Sequence, residues 1–140
     1  VLSKLIMKQS LYKPLEKFIS KYPVYGTCAG LILLSKIIEK NKIVKSFEKL
    51  DISIKRNAWG RQINSFISNL KIKEFDKTFK GIFIRAPKIT KVSSKVDILS
   101  SINNSPVMVR QDNLLGTTFH PELSNDVRIH KYFIGMIESC

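Results

Sequence analysis

The stretch that most constrains this chain is Tyr-Gly-Thr-Cys-Ala-Gly at residues 25–30, followed at once by the apolar run Leu-Ile-Leu-Leu at 31–34. A short apolar segment leads into a turn of small residues, and a helical pattern leaves it. This pattern is that of a nucleophile elbow, with Cys28 in place of the more usual serine. Gly26 and Gly30 carry no Cβ, so we expect strand and helix to approach closely there.

An elbow of this kind predicts a reactive thiol. A thiol at the N-terminus of a helix lies at the positive end of the helix dipole, which favours the thiolate. The backbone N–H of Ala29, the residue after Cys28, is then free to donate to an oxyanion. A cysteine beside glycines is also common in ordinary buried packing, so this stretch indicates chemistry only when a base accompanies it.

The base comes from a second motif, Phe-His-Pro-Glu at residues 119–122, which follows an apolar run at 114–118. His120, at the end of a predicted strand, supplies a general base, and Glu122 supplies a carboxylate to orient it. Nucleophile, base and orienting group are the parts that a thiol-dependent acyl transfer needs. The chain order Cys, His, Glu is compatible with this, because triads are recognised by geometry and roles.

Two further motifs stand between these, Arg-Asn-Ala-Trp-Gly-Arg-Gln at 56–62 and Phe-Ile-Arg-Ala-Pro at 83–87. Taken with Gly-Thr-Cys-Ala-Gly and Phe-His-Pro-Glu, they make the chain resemble the triad glutamine amidotransferases. Within these it is similar to the glutaminase subunits of pyridoxal 5'-phosphate synthase. The resemblance runs from Val1 to the C-terminus, with every landmark in order.

The resemblance implies an α/β fold. This is a three-layer sandwich with a central mixed, mostly parallel sheet flanked by helices, as in class I glutamine amidotransferases and flavodoxin-like proteins. Residues 1–140 would form a single glutamine amidotransferase domain. Family members begin with a βαβ portion ending in Gly-Gly-Glu-Ser, which helps form the oxyanion hole. Residues 1–6 align with the helix after it, so we expect an N-terminally incomplete member that lacks this segment.

The function implied by the resemblance is hydrolysis of L-glutamine to L-glutamate and ammonia through a cysteine thioester. The ammonia would pass to a separate synthase subunit that builds pyridoxal 5'-phosphate. The catalytic residues would be Cys28, His120 and Glu122, with the Ala29 N–H as oxyanion donor. The positions that match the family's glutamine site are Arg56, Ile84 and Arg85.

The formal charge of +13 over 140 residues leaves several interpretations. The cations are mostly lysines spread singly, which favours a solvated surface. Nucleic-acid binding is the minority interpretation, because no arginine-rich cluster, aromatic-interleaved sheet motif or zinc spacing accompanies the charge. A basic rim that steers anionic partners is the third.

Other features of the sequence limit the class of protein. No apolar run is long enough to span a membrane, and no signal-peptide pattern stands at the start. Two cysteines argue against a disulfide scaffold and fit a reducing, cytoplasmic compartment. The sequence has no Gly-rich phosphate loop, CxxC or HExxH, so we expect no metal and no bound cofactor. The expected partners are L-glutamine and the synthase subunit, with no nucleic acid and no membrane.

Two alternatives stay open. The chain could be a glutaminase subunit of another synthase, such as that of the histidine pathway, although the motifs at 56–62 and 84–87 argue against this. It could also be an inactive fragment that docks on the synthase subunit, or a basic binding module. The unmatched Gly-Gly-Glu-Ser motif is the main support for this second alternative.

Hydrophobic periodicity predicts the helices and strands. We expect helices at 2–12, from Pro14 in the first turn of a second helix, from Ala29 to about residue 39, and at the C-terminus with Ser124 or Asn125 as cap. The predicted strands are 24–27, 50–55, 66–72, 81–85, 96–99, 107–111 and 114–119.

Overall fold

The computed structural model describes residues 2–41, 43–56 and 65–140. The helices in these ranges are α1 Leu2–Lys8, α2 Tyr12–Lys21, α3 Ala29–Leu34 and α4 Arg128–Glu138, with a 3-10 turn at Pro121–Leu123. The strands are β1 Val24–Thr27, β2 Ser35–Ile38, β3 Leu50–Lys55, β4 Ser65–Leu70, β5 Phe79–Ile84, β6 Lys88–Val92, β7 Asp97–Ile102, β8 Ser105–Gln111 and β9 Leu114–Thr117.

The strands of the described ranges pair in the orders β1-β9-β8-β7, β2-β3-β6 and β4-β5. The sheets are mixed, as expected. The pairs β1/β9 and β2/β3 are parallel, whereas the other four ladders are antiparallel. The expected predominance of parallel pairs is therefore not seen within these ranges. The connections from β4 to β5 and from β7 through β9 are too short for a parallel crossover, which takes a dozen or more residues.

The strand β9 lies between two apolar clusters. Leu115 packs with Phe79, Phe83 and Phe119 on one side, whereas its neighbour Leu114 packs in a cluster with Leu31 of α3 on the other. Successive side chains of a strand point to opposite faces. The sheet that carries β1 and β9 is therefore covered on both faces where β9 lies.

The helix after the elbow is shorter than predicted. It ends at Leu34, and residues 35–38 form β2 beside β3. Ser35 is fully buried and extended, and its hydroxyl donates to the Ile32 carbonyl at 2.6 Å. The β-branched pair Ile37 and Ile38 suits a strand, so the helical prediction is wrong beyond Leu34.

The structure differs from the sequence-based expectations at one strand and at one helix cap. The strand β6 was not predicted, because lysines interrupt its apolar residues; it is specified by antiparallel pairing with β3. Neither Ser124 nor Asn125 caps the last helix. That helix starts at Arg128, whose backbone N–H donates to Asp126 Oδ1 at 3.1 Å.

Candidate active site

Cys28 and His120 follow two neighbouring parallel strands. The strands β1 and β9 pair in register from Val24 opposite Leu114 to Thr27 opposite Thr117. Because the carboxyl ends of parallel strands lie at one edge of a sheet, both predicted catalytic segments leave from the same edge. The Cys28 N–H donates to the Thr117 carbonyl at 3.0 Å, which ties the two segments together.

The backbone at Cys28 has the geometry of an elbow. Cys28 has φ of 51° and ψ of −105°, a left-handed conformation that is strained for a residue with a side chain. A Cβ built on Gly26 would lie 2.8 Å from the carbonyl carbon of Gly30, so Gly26 has to be glycine. A Cβ on Gly30 would meet no described atom within 4 Å. Strand and helix thus approach closely, as expected, and this approach requires a glycine at 26 but not at 30.

The thiol of Cys28 is half-buried, and this burial raises its pKa. The Ala29 backbone N–H, which lies close to the sulfur, acts in the opposite direction, and the Glu122 carboxylate adds to the increase. The sequence led us to expect that a helix dipole would favour the thiolate. The pKa of the thiol is raised instead, with burial as the largest cause, and the thiol therefore needs a base.

His120 and Glu122 form a direct pair, with 2.8 Å between His120 Nδ1 and Glu122 Oε2. An ionised carboxylate only accepts hydrogen bonds. A neutral imidazole that donates to this carboxylate carries its proton on Nδ1, which leaves Nε2 as the acceptor. Pro121 begins the 3-10 turn that contains Glu122, directly after His120. The His120 backbone N–H donates to the Ile82 carbonyl of β5 at 2.9 Å.

The three expected substrate residues lie on exposed strand ends. Ile84 is the last residue of β5 and is 41% exposed. Arg85 follows it with φ of 44°, a left-handed conformation, and is exposed. Arg56 follows β3, whose last residue, Lys55, pairs with Lys88 beyond the end of β5. The register therefore brings the Arg56 segment beside the segment that carries Arg85. The rest of the 56–62 motif lies outside the described residues.

Two residues that sequence reasoning did not select stand behind the catalytic segments. The Tyr25 and Thr117 hydroxyl oxygens are 2.9 Å apart, and Thr117 is fully buried. Burial raises the pKa of the Tyr25 hydroxyl. The sequence did contain a clue to these two residues. Tyr25 lies three positions before Cys28, and a Thr-Thr pair comes directly before Phe-His-Pro-Glu. Only the pairing of β1 with β9 places the two side chains together.

Among the described residues, no group of three or more His, Cys, Asp or Glu side chains could hold a metal ion. None of the described helices combines the length and apolar character that crossing a bilayer requires.

Comparison with known proteins gives consistent matches. The model of the SNO glutamine amidotransferase family matches residues 1–139. The pyridoxal 5'-phosphate synthase subunit PdxT of Fervidobacterium nodosum is 52% identical over 135 residues, which cover 95% of this chain and 70% of the relative. The protein of the same name from Thermosipho africanus is 47% identical, covering 95% and 71%.

Solved structures give the same result for the fold. A crystal structure of a glutamine amidotransferase superimposes with a TM-score of 0.90 at 35% identity, covering 97% of this chain and 72% of that one. The predicted α/β fold class is therefore confirmed.

Proposed function

We propose a function on the basis that the chain belongs to the SNO glutamine amidotransferase family. It is the glutaminase subunit of a pyridoxal 5'-phosphate synthase. It hydrolyses L-glutamine to L-glutamate and ammonia, and the ammonia passes to the synthase subunit. The observation that carries this proposal is that Cys28 and the His120–Glu122 pair follow neighbouring parallel strands that end at one edge.

The first step is attack by the thiol. Glu122 holds the Nδ1 proton of His120, which leaves Nε2 to accept the proton of Cys28 Sγ. Because burial raises the pKa of that thiol, the base is needed for attack near neutral pH. The sulfur adds to the side-chain amide carbon of glutamine, and Glu122 stabilises the resulting imidazolium.

The oxyanion that forms in this step meets the Ala29 N–H. This donor already lies close enough to the sulfur to oppose the increase in the thiol pKa. It is therefore near the place where negative charge develops. Loss of one such donor typically costs on the order of 100- to 1,000-fold in rate.

The second half of the reaction regenerates the thiol. The imidazolium of His120 gives its proton to the amide nitrogen, the C–N bond breaks, and ammonia leaves the glutamyl thioester on Cys28. His120 then takes a proton from water, whose oxygen attacks the thioester carbon. Glutamate is released and the proton returns to sulfur.

Glutamine is held by the residues that match the family's glutamine site. The guanidinium groups of Arg56 and Arg85 suit the α-carboxylate of glutamine, since arginine binds carboxylates in a bidentate manner. Ile84 offers an apolar surface to the methylene groups. Both arginines are exposed, so they are accessible to a ligand.

The setting proposed for this reaction is the cytoplasm, with residues 1–140 acting as one glutamine amidotransferase domain. Both cysteines are free thiols, which fits a reducing compartment. The basic surface, with a net charge of +13, would steer anionic partners.

The test compares the chain with Cys28→Ser, each assembled with the synthase subunit. We expect glutamine to support pyridoxal 5'-phosphate formation only with the unchanged chain, whereas an ammonium salt supports it with both. Near-normal glutamine turnover by Cys28→Ser would exclude Cys28 as the nucleophile. An unchanged chain that docks on the synthase but releases no glutamate would favour the docking-module alternative.

A further inference from the structure

A pair of hydroxyl groups lies behind the catalytic edge, and its donor order is fixed. Thr117 Oγ1 donates to the Phe119 carbonyl at 2.9 Å and lies 2.9 Å from the Tyr25 hydroxyl. A hydroxyl has one proton and a carbonyl can only accept. The Thr117 proton is therefore directed at Phe119, and the Tyr25 hydroxyl must donate to Thr117.

This chain of hydrogen bonds ends on the peptide group that precedes His120. The carbonyl of that peptide, on Phe119, accepts from Thr117. Its N–H, on His120, donates to the Ile82 carbonyl at 2.9 Å. A peptide group is planar, so holding both of its polar atoms fixes its rotation. That rotation sets the direction in which the His120 side chain leaves the backbone.

Thr117 also holds the other catalytic segment. Its carbonyl accepts the Cys28 N–H at 3.0 Å, while its side chain holds the peptide before His120. Tyr25 is itself anchored against α4, where its ring contacts Phe133 with 5.7 Å between centroids. One buried residue thus relates the nucleophile segment to the base segment.

We propose that Thr117 and Tyr25 are positioning residues of the glutaminase site, and that their hydroxyl pair directs His120 toward Cys28. The proposal rests on the function given above. Neither residue needs to touch glutamine. Their effect is on the geometry of proton transfer, and small displacements of catalytic groups are costly in rate.

The chain contains a matched control in the next residue. Thr118 is also fully buried, but its hydroxyl has no hydrogen-bond partner among the described residues. Replacing either threonine by valine keeps the shape and the backbone hydrogen bonds. Thr117→Val removes the link to the peptide before His120, whereas Thr118→Val removes no hydrogen bond.

The experiment measures glutaminase kcat and KM in the complex with the synthase subunit. We expect Thr117→Val to lower kcat by about tenfold or more and to leave KM within about twofold, because the loss affects the transition state more than ground-state binding. Thr118→Val should keep the kcat of the unchanged chain. Equal kcat values for the two variants would overturn the proposal.

A double variant separates positioning from stability. Thr117→Val leaves the Tyr25 hydroxyl buried without its acceptor, and adding Tyr25→Phe removes that hydroxyl. We expect the double variant to recover thermal stability, while kcat stays low because the Phe119 carbonyl is still unheld. Recovery of kcat together with stability would show a purely structural pair and would overturn the proposal.

A spectroscopic measurement separates this proposal from the proposed function. If the unchanged complex releases no glutamate, the function is wrong, and the ring of His120 is examined by nitrogen-15 NMR, assigned against His120→Gln. We expect the Nδ1–H signal, which reports the bond to Glu122, to shift in Thr117→Val and to stay in place in Thr118→Val. An unshifted signal in Thr117→Val would overturn the positioning role.

Discussion

Gly26 and Gly30 approach so closely that a Cβ on Gly26 would lie 2.8 Å from the Gly30 carbonyl carbon and 2.9 Å from its oxygen. The backbone of the elbow helix thus fills the space that a side chain at the end of β1 would need. Cys28 lies between these two glycines in the chain.

Gly26→Ala should therefore destabilise the fold by about 1–3 kcal/mol, the typical cost of overpacking. The atoms in the way are backbone atoms, which cannot move aside as a flexible side chain can. Gly30→Ala is the matched control, because its Cβ would meet no described atom within 4 Å, and alanine favours helix by up to about 1 kcal/mol. Urea unfolding of both variants tests this, and equal midpoints would contradict it.

Glu122→Gln should lower glutaminase kcat by on the order of 100- to 10,000-fold. An amide can hold the imidazole in the wrong tautomer and cannot stabilise imidazolium. The carboxylate is half exposed, 48% for its side chain, which favours the lower part of that range. Steady-state kinetics check the loss, with alkylation of Cys28 as a control for folding. Unchanged turnover would remove Glu122 from the mechanism.

The titration of Cys28 offers a test of the burial effect. In a Cys140→Ser background, which leaves a single thiol, the alkylation rate should keep rising above the pH at which an ordinary cysteine is fully ionised. The physical reason is that burial raises the pKa of Cys28. Glu122→Gln should lower that pKa, because the carboxylate contributes to the increase.

The same pKa shift predicts a pH-dependent stability. Burial favours the neutral thiol, so the folded chain binds this proton more tightly than the unfolded chain does. The free energy of unfolding should therefore fall as pH rises from the ordinary cysteine pKa through the raised one. Cys28→Ala should show a smaller decrease, because Tyr25, whose pKa burial also raises, still contributes in the same way. A thiol that reacts fully at neutral pH would contradict both results.

Arg128 should stabilise the start of α4. Its guanidinium donates to the Lys77 and Thr78 carbonyls at 2.8 Å each, pairs with Asp126, and lies 5.1 Å from the Phe75 ring centroid. Lysine cannot reproduce this fork of donors. We expect Arg128→Lys to cost about 1–2 kcal/mol in thermal unfolding, and Lys131→Ala, at an exposed site on the same helix, to cost less than about 0.5 kcal/mol. Equal costs would contradict this role.

Much of the fold was predictable because local patterns agree with it. The strand 24–27 and the strand 50–55 were predicted with the bounds that the structure gives. The helix after Cys28 was predicted too long, since apolar residues return at 37 and 38 and only pairing with β3 makes residues 35–38 a strand. Periodicity along a segment does not report the partner that it pairs with.

The candidate site was also predictable only in part. Motifs selected Cys28, His120 and Glu122, and the structure brings their segments to one edge. The direction of the thiol pKa shift was not predictable from a helix-dipole argument, because it depends on how far Cys28 is buried. Tyr25 and Thr117 were missed because they lie 92 positions apart in the chain and meet only through the β1/β9 register.

The most direct measurement of the central claim is mass spectrometry after treatment with an electrophilic glutamine analogue, with and without the synthase subunit. The mechanism predicts a single adduct on Cys28, absent in Cys28→Ser and slowed in His120→Gln. An adduct that needs the synthase subunit would add activation by docking. If Cys28 stays unmodified in both states while a small generic alkylator still reaches it in the folded chain, the thioester mechanism is contradicted.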